Sequence, residues 1–174
     1  MRKLWMMILL LFVLSGCSRT ENFETVMDPN VAYVNNEKMV IMVDIPDDAS
    51  LQVMESSDDC VVYICDDYSL TYYIVPGGDI QKTIMDATGY TPDQLDIIST
   101  EQNGQKRYVF VWAAAGETGE EVGRCCIIDD GSYHYVLTAM ADAEKAGTLA
   151  NQQWKSVFRS FRLISADEVV SSGS

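Results

Sequence analysis

A single histidine and a pair of adjacent cysteines are the side chains of this chain that could support nucleophilic catalysis. His134 follows the turn Asp129-Asp130-Gly131-Ser132, and Cys125 and Cys126 precede that turn. A reactive cysteine needs a positively charged setting that lowers the pKa of its thiol, whereas this chain is strongly acidic. The sequence contains no Gly-x-Ser-x-Gly elbow and no Cys-x-x-Cys pair. We therefore expect His134 to be structural, with no catalytic residue, no cofactor, no metal site and no enzymatic activity.

The N-terminus has the layout of an export signal. Arg2 and Lys3 precede the apolar run Leu4–Leu14, which is too short to span a membrane of roughly 30 Å as a helix. The run ends in Leu14-Ser15-Gly16-Cys17, which resembles the lipobox of bacterial lipoproteins. That resemblance implies a signal peptide over residues 1–16 and a diacylglycerol thioether on Cys17. The mature chain would then be anchored by acyl chains to the cell membrane, facing the extracytoplasmic side.

The charge of the chain excludes nucleic acid as a partner. The formal charge is −14, from 26 acidic and 12 basic residues. Removal of residues 1–16 takes away two cations and no acids, so the mature side chains sum to −16. Nucleic-acid binding depends mainly on lysine and arginine contacts to phosphate. Anionic lipid head groups would also repel such a domain.

Four further cysteines, Cys60, Cys65, Cys125 and Cys126, leave two alternatives open. The first two bound one strand, which places them about 16 Å apart at roughly 3.3 Å per residue, and the second two point to opposite faces of a strand. A disulfide tolerates less than about 7 Å between Cα atoms. Any bridge would therefore join one of Cys60 and Cys65 to one of Cys125 and Cys126. The alternative is four buried free thiols.

Acidic doublets lie at strand ends and turns. They are Asp47-Asp48, Asp58-Asp59, Asp66-Asp67 and Asp129-Asp130. Carboxylates gathered at one end of a sheet could bind calcium, but no EF-hand spacing is present. Aspartate is also a favourable turn residue, and we expect turns.

Turn and capping signals divide the chain into strands and two helices. The predicted strands are Val31–Val34, Met39–Val43, Leu51–Glu55, Val61–Cys65, Leu70–Val75, Ile97–Glu101, Gln105–Ala113, Val122–Ile128 and Tyr133–Ala139. The first two would form a hairpin, and Asn103-Gly104 predicts another. A mid-chain helix is expected between a cap at Asp79 and Gly89, followed by a capped turn at Thr91-Pro92-Asp93-Gln94. An amphipathic helix is expected from about Ala143 to Phe161.

These elements predict a single α+β domain over residues 31–164, with a mostly antiparallel meander sheet. Residues 17–30 would be a polar tether and residues 165–174 a flexible tail. Tyr108, Phe110 and Trp112 alternate with other apolar residues, so central strands are apolar on both sides. Such strands need a layer on each face. We expect the long C-terminal helix on one face and the mid-chain helix or loops on the other.

The order of elements resembles the PsbP/DcrB-like α/β/α sandwich domains. The local likeness lies in Tyr135-Val136-Leu137-Thr138-Ala139, the helix after it, and Ser160-Phe161-Arg162-Leu163. The resemblance would cover residues 31–164. It implies a non-enzymatic domain, often a lipoprotein, that binds a protein partner or supports an assembly.

The sequence therefore predicts a membrane-anchored extracytoplasmic lipoprotein that binds an envelope protein or supports an envelope complex. The alternative is a lipoprotein that binds a small ligand or calcium in a pocket between helix and sheet.

Overall fold

A seven-stranded antiparallel sheet forms the body of the protein. The structure is a computed structural model and describes residues 38–116, 119–149 and 153–165. The strands are β1 (Val40–Met42), β2 (Ser50–Leu51), β3 (Cys60–Ile64), β4 (Ser69–Pro76), β5 (Ile98–Gln102), β6 (Gln105–Ala115), β7 (Glu120–Asp129), β8 (Tyr133–Asp142) and β9 (Arg162–Ile164). The sheet order is β2-β3-β4-β8-β7-β6-β5, while β1 and β9 form a separate two-stranded sheet. The mostly antiparallel α+β architecture is as the sequence predicts.

The helices are short. They are α1 (Ile80–Thr88), α2 (Ala143–Leu149) and α3 (Gln153–Ser160), with a 3-10 turn at Pro92–Gln94. Asp79 caps α1 by accepting a hydrogen bond from the Gln81 backbone N–H at 2.9 Å. Gly89 ends the helix in the left-handed region, at φ 77°. Both signals for the mid-chain helix are confirmed.

The tight turn between β5 and β6 also follows from its residues. Asn103 has φ 54° and Gly104 has φ 75°. Positive φ at both central positions is the requirement of a type I′ turn, whose twist matches that of the flanking strands. The predicted hairpin is confirmed.

Each face of the sheet carries a helix. Trp154, Val157 and Phe158 of α3 pack on one face against residues that include Cys126 and Leu137. On the other face, Ile80 and Ile84 of α1 pack against residues that include Tyr108 and Phe110. These two cores give the three-layer arrangement. On β6, however, Val111 is 54% exposed, so the α3 face of this strand is only partly covered.

The single long C-terminal helix predicted from Ala143 to Phe161 is wrong. Two helices occupy this region, α2 of seven residues and α3 of eight, and residues 150–152 between them are outside the described part. The segment contains Gly147 and Thr148, which have low helix propensity. The apolar stripe that suggested one helix is supplied mainly by α3.

The predicted strand Met39–Val43 contains β1, and in the structure β1 pairs with a strand from the other end of the described chain. β1 pairs with β9 in antiparallel fashion, with Val40 opposite Ile164 and Met42 opposite Arg162. The predicted strand Val31–Val34, Cys17 and the tether of residues 17–30 all precede the described residues, and the tail beyond Ser165 follows them. The predicted strand Leu51–Glu55 is reduced to β2, two residues long.

One close approach between backbone and side chain lies on the α1 face. Gly123 of β7 pairs with Trp112 of β6 and with Met140 of β8. A Cβ atom at position 123 would lie 2.3 Å from Trp112 Cζ2 and 2.6 Å from Met140 Sδ. The indole ring of Trp112 therefore occupies the space that a side chain at position 123 would need.

Candidate binding cleft

A cleft lies between the sheet and α3, on the side of the sheet that α3 leaves partly uncovered. Its volume is about 450 Å³. The residues that line it are Arg107 and Val109 of β6, Arg124 of β7, and Lys155, Phe158 and Arg159 of α3. Four of these six side chains are cationic, and none carries a carboxyl group.

Strand register places the arginines of the cleft on one face. Arg107 is opposite Ile128, and Val111 is opposite Arg124. Directly paired residues on antiparallel strands have side chains on the same face, and residues two apart share it. Arg107 and Arg124 are therefore on the face that α3 covers, at the border between its buried and its open part.

Arg107 holds the C-terminal end of α3 against the sheet. Its Nη1 donates a hydrogen bond to the carbonyl oxygen of Phe161 at 3.0 Å, and its Nη2 donates to that of Phe158 at 2.7 Å. The guanidinium also lies 5.7 Å from the centre of the Phe161 ring. Carbonyls at a helix end have no partner within the helix, so a cation there is favourable. Arg107 positions the helix and adds positive charge to the cleft.

Arg124 lies over the ring of Phe158, with 4.7 Å between the guanidinium carbon and the ring centre. Its Nε atom is buried and has no hydrogen-bond partner in the described structure. Burial lowers the pKa of Arg124, and the like charge of Arg107 lowers that pKa further. An arginine remains charged in spite of such a shift. The cleft therefore contains a partly buried charge that stacks on an aromatic ring.

Three lysines outside the cleft pair with carboxylates. Lys38 pairs with Asp59 at 2.6 Å and Lys145 with Asp67 at 2.8 Å. Lys82 pairs with Asp86. Among the residues that the structure describes, Arg107, Arg124 and Arg159 form no ion pair with a carboxylate.

An apolar strip continues the cleft toward the sheet edge. Ile98 of β5 is opposite Val109, on the same face, and is 67% exposed. Val111 is the next residue on that face of β6. The strip joins exposed aliphatic surface to the cationic cluster.

His134 is buried and is far from the cysteines with which it could have paired. Its Nδ1 lies 2.7 Å from Thr83 Oγ1, and its Nε2 lies 3.9 Å from Asp129 Oδ1. Burial lowers the pKa of His134, although nearby carboxylates, chiefly Asp129, oppose this. Cys126 is opposite Leu137, three residues along β8 from His134, or about 10 Å at roughly 3.3 Å per residue. The histidine joins α1 to the sheet, and the structure does not form a Cys-His pair.

The cross-pair disulfide is not formed in the structure, where Cys60, Cys65, Cys125 and Cys126 are free thiols. Cys60 is the first residue of β3 and Cys65 directly follows its last residue, whereas Cys125 and Cys126 lie in β7. β4 and β8 lie between these strands, so three inter-strand steps of about 4.8 Å separate them. A bridge needs Cα atoms within about 7 Å. Burial raises the pKa of Cys65, Cys125 and Cys126.

The Asp129-Asp130 doublet makes the contacts of a turn, whereas Asp59 and Asp67 of two other doublets pair with lysines. Asp130 Oδ1 accepts from the backbone N–H groups of Ser132 and Tyr133, both at 2.8 Å, and Asp130 Oδ2 accepts from Tyr135 at 2.9 Å. Asp47, Asp48 and Asp66 line a separate cavity of about 570 Å³ beside the start of α3. Within the described ranges, no three His, Cys, Asp or Glu side chains converge as metal ligands.

The two strand arginines are the site residues that the sequence analysis missed. A signal was present for one of them, because Arg124 lies between Val122 and Cys126 on one face of β7, whereas Arg107 follows the polar Gln105 on its face of β6. Lys155 and Arg159 are exposed residues of α3, and the sequence pattern gives no separate signal for them. Cys17, the predicted lipidation site, precedes residue 38, where the described structure begins.

Comparison with known proteins identifies only folds. No protein-family model matches the chain, and no curated protein matches it. A crystal structure from Bacteroides thetaiotaomicron VPI-5482 is similar with a TM-score of 0.50 at 9% identity, over 73% of this chain and 46% of that chain. LpqN, involved in cell envelope biogenesis of Mycobacterium tuberculosis, is similar with a TM-score of 0.50 at 13% identity, over 76% of this chain and 88% of that chain. Cyanobacterial PsbP (CyanoP) from Synechocystis sp. PCC 6803 has a TM-score of 0.49 at 14% identity, over 77% and 97% of the two chains.

These likenesses establish the fold alone, because every identity is below 25%. The chain spans about half the length of the Bacteroides structure that it matches. The TM-score to PsbP carries no argument, so membership of the PsbP/DcrB family stays a prediction. Across the described residues, no helix is long and apolar enough to cross a membrane.

Proposed function

We propose that this protein is a lipid-anchored, extracytoplasmic and non-enzymatic binding protein of the cell envelope, and that it binds its partner or ligand at the cleft between β6, β7 and α3. The observation that carries the proposal is Arg124, a partly buried cation with no carboxylate partner in the described residues of a chain with 26 acidic side chains. A buried charge is costly when it is unpaired. A partner's anionic group would reduce that cost.

The chemistry of the cleft favours binding over catalysis. Guanidinium groups retain their protons near neutral pH, so they orient and neutralise anions without transferring protons. Apart from Lys155, the remaining lining is aliphatic and aromatic, from Val109 and Phe158. This combination supports recognition of an anionic group that is attached to an apolar body.

The envelope location rests on the N-terminal sequence, with Cys17 as the predicted anchor. The fold likeness to LpqN, which is involved in cell envelope biogenesis, agrees with this location. Two or more acyl chains hold a protein on a membrane where a single chain binds only reversibly.

Replacement of the anchor residue tests the location. We expect Cys17→Ala to leave the membrane fraction or to accumulate as an unprocessed precursor, because the thioether cannot form. Ser18→Ala, one residue further on, is the matched control and should remain on the membrane. Mass spectrometry of the mature N-terminus provides the second measurement. Normal processing together with unchanged membrane retention of Cys17→Ala would contradict the proposal.

Crosslinking in intact cells tests the cleft. A photoreactive amino acid is placed at Val111 on the strip or, as a control, at Met85 on α1, which is exposed to a similar extent on the opposite face (54% and 44%). We expect a discrete adduct from position 111 that weakens when Arg124→Gln is added, and no such adduct from position 85. The same adducts from both positions, or none from position 111, would exclude the cleft.

A second surface supports contact with a protein. Leu51, Val53, Met54 and Ile64 are all exposed near the β2 edge, and Met54 is 97% exposed. Ile64 is opposite Ser50 and Leu51 is opposite Tyr63, so Ile64 and Leu51 point to opposite faces of this strand pair. The exposed cluster is therefore Leu51, Val53 and Met54, on β2 and the loop after it. Apolar side chains grouped on a surface are typical of protein interaction sites. An adduct from position 54 that does not depend on Arg124 would assign the protein partner to this edge.

A further inference from the structure

The positive charge of the cleft is opposite in sign to the charge of the protein. Four cations line one cavity, whereas the mature chain carries a formal charge of −16. The long-range field of such a chain disfavours the approach of anions in general. An anion that binds here must therefore be held by short-range contacts to several donors.

The donors for such contacts are present on two side chains. Arg124 and Arg159 each have five N–H groups, and the described structure gives neither a hydrogen bond to a carboxylate or carbonyl. Both terminal nitrogens of Arg107 already donate to carbonyl oxygens at the C-terminal end of α3, so Arg107 contributes positive charge to the cleft and holds the helix in place. The planar fork of arginine matches the oxygens of phosphate and carboxylate groups.

We infer that the cleft binds a phosphate ester; the inference rests on the proposed binding function and names its ligand class. A phosphate monoester carries nearly two negative charges and three terminal oxygens near neutral pH. It therefore suits a cluster of four cations in which two guanidinium groups are available as hydrogen-bond donors. A carboxylate offers one charge and two oxygens. Charge complementarity therefore favours phosphate.

The apolar strip defines the body to which the phosphate is attached. Ile98 and Val111 are exposed aliphatic side chains on the same face as the arginines. An acyl or other apolar chain next to the phosphate would contact them and add to affinity. A phospholipid head group and a free phosphate ester share the same head chemistry and differ in this contact.

Titration calorimetry on the full chain in non-ionic detergent tests the inference with two probes, inorganic phosphate and dihexanoyl phosphatidic acid. We expect at least one probe to bind, with affinity about tenfold weaker for Arg124→Gln and roughly threefold weaker for the exposed Arg159→Gln. Lys82→Gln changes the charge equally on α1, away from the cleft, and should leave the affinity within about twofold. Arg159→Gln keeps the test valid if Arg124→Gln unfolds.

The outcomes separate the ligand sources. Much tighter binding of the phosphatidic acid, reduced by Val111→Ser, assigns a lipid ligand, whereas equal affinities assign a free phosphate ester. Arginine-dependent binding of a glutamate-rich peptide without binding of either phosphate probe would overturn the inference and leave the proposed function intact. Absence of binding by all three would also overturn it, and crosslinking at position 111 then decides separately whether the cleft binds anything.

Discussion

Gly123→Ala provides a direct test of the packing between the central strands. The new methyl carbon would lie 2.3 Å from Trp112 Cζ2 and 2.4 Å from Cε2, where ordinary contact begins at 3.4 Å. Relief therefore requires a shift of about 1 Å in an indole ring that is 7% exposed and packed against Phe110. Overpacking of this kind costs about 1–3 kcal/mol. We expect Gly123→Ala to lose that amount of unfolding free energy.

Urea unfolding followed by tryptophan fluorescence measures this loss. Gly147→Ala is the matched control, because Gly147 lies in α2 and a Cβ atom there meets nothing within 4 Å. Alanine is the better helix former, so this control should gain up to about 1 kcal/mol. In a double-mutant cycle, Trp112→Leu should remove part of the Gly123→Ala penalty. A Gly123→Ala protein as stable as the parent chain would refute the assigned position of the indole ring.

Two further predictions concern the buried residues on either face. Trp154 is 2% exposed and contacts the Tyr68 ring edge-on at 6.2 Å between ring centres, so Trp154→Ala should cost about 3–5 kcal/mol in urea unfolding. The adjacent exposed Gln153→Ala is the control, and a loss below about 1 kcal/mol for Trp154→Ala would mean that α3 is not docked as described. Burial lowers the pKa of His134 below its ordinary value of 6.5, with Asp129 opposing, so the unfolded chain takes up a proton at a higher pH than the folded protein does. Stability from this residue is therefore lost as pH falls below about 6.5, by at most about 1.4 kcal/mol per pH unit. Urea unfolding at pH 7.5 and pH 5.5 should show a smaller pH dependence for His134→Gln than for the parent chain, and an equal dependence would contradict the assignment.

Local chemistry made part of the fold predictable. Asp79 and Gly89 fix the ends of α1 through contacts within a few residues, and Asn103-Gly104 fixes a turn through its own backbone preference. These elements depend only on residues that are close to them in the sequence. Their predictions are confirmed for this reason.

Contacts between distant parts of the chain were beyond the reach of the sequence. β1 pairs with β9, more than 100 residues away, and the local pattern gives no sign of this partner. The distance between the two cysteine pairs likewise depends on the insertion of β4 and β8 between β3 and β7. Strand order is a property of the whole sheet, and residue spacing within one strand does not encode it.

Part of the cleft could be predicted from the sequence. Arg124 is a charged residue whose neighbours on the same face of β7, Val122 and Cys126, are apolar, which is a signal for a special environment. Arg107 lies between Gln105 and Val109 on its face of β6, so its pattern carries no such signal. What the pattern could not provide is the helix that closes over them. Because the predicted C-terminal helix is longer than the helix in the structure, the sequence did not indicate that α3 covers only part of this face.

The pairing of β1 with β9 has a mechanical consequence. Val40 is opposite Ile164, so the described domain begins and ends at the same end of a ladder of three residue pairs. A tensile load applied between these two points would break the ladder one pair at a time, instead of shearing all its hydrogen bonds together. The strands β1 and β9 would therefore separate, and the distance between Val40 and Ile164 would increase, while the seven-stranded sheet remained intact.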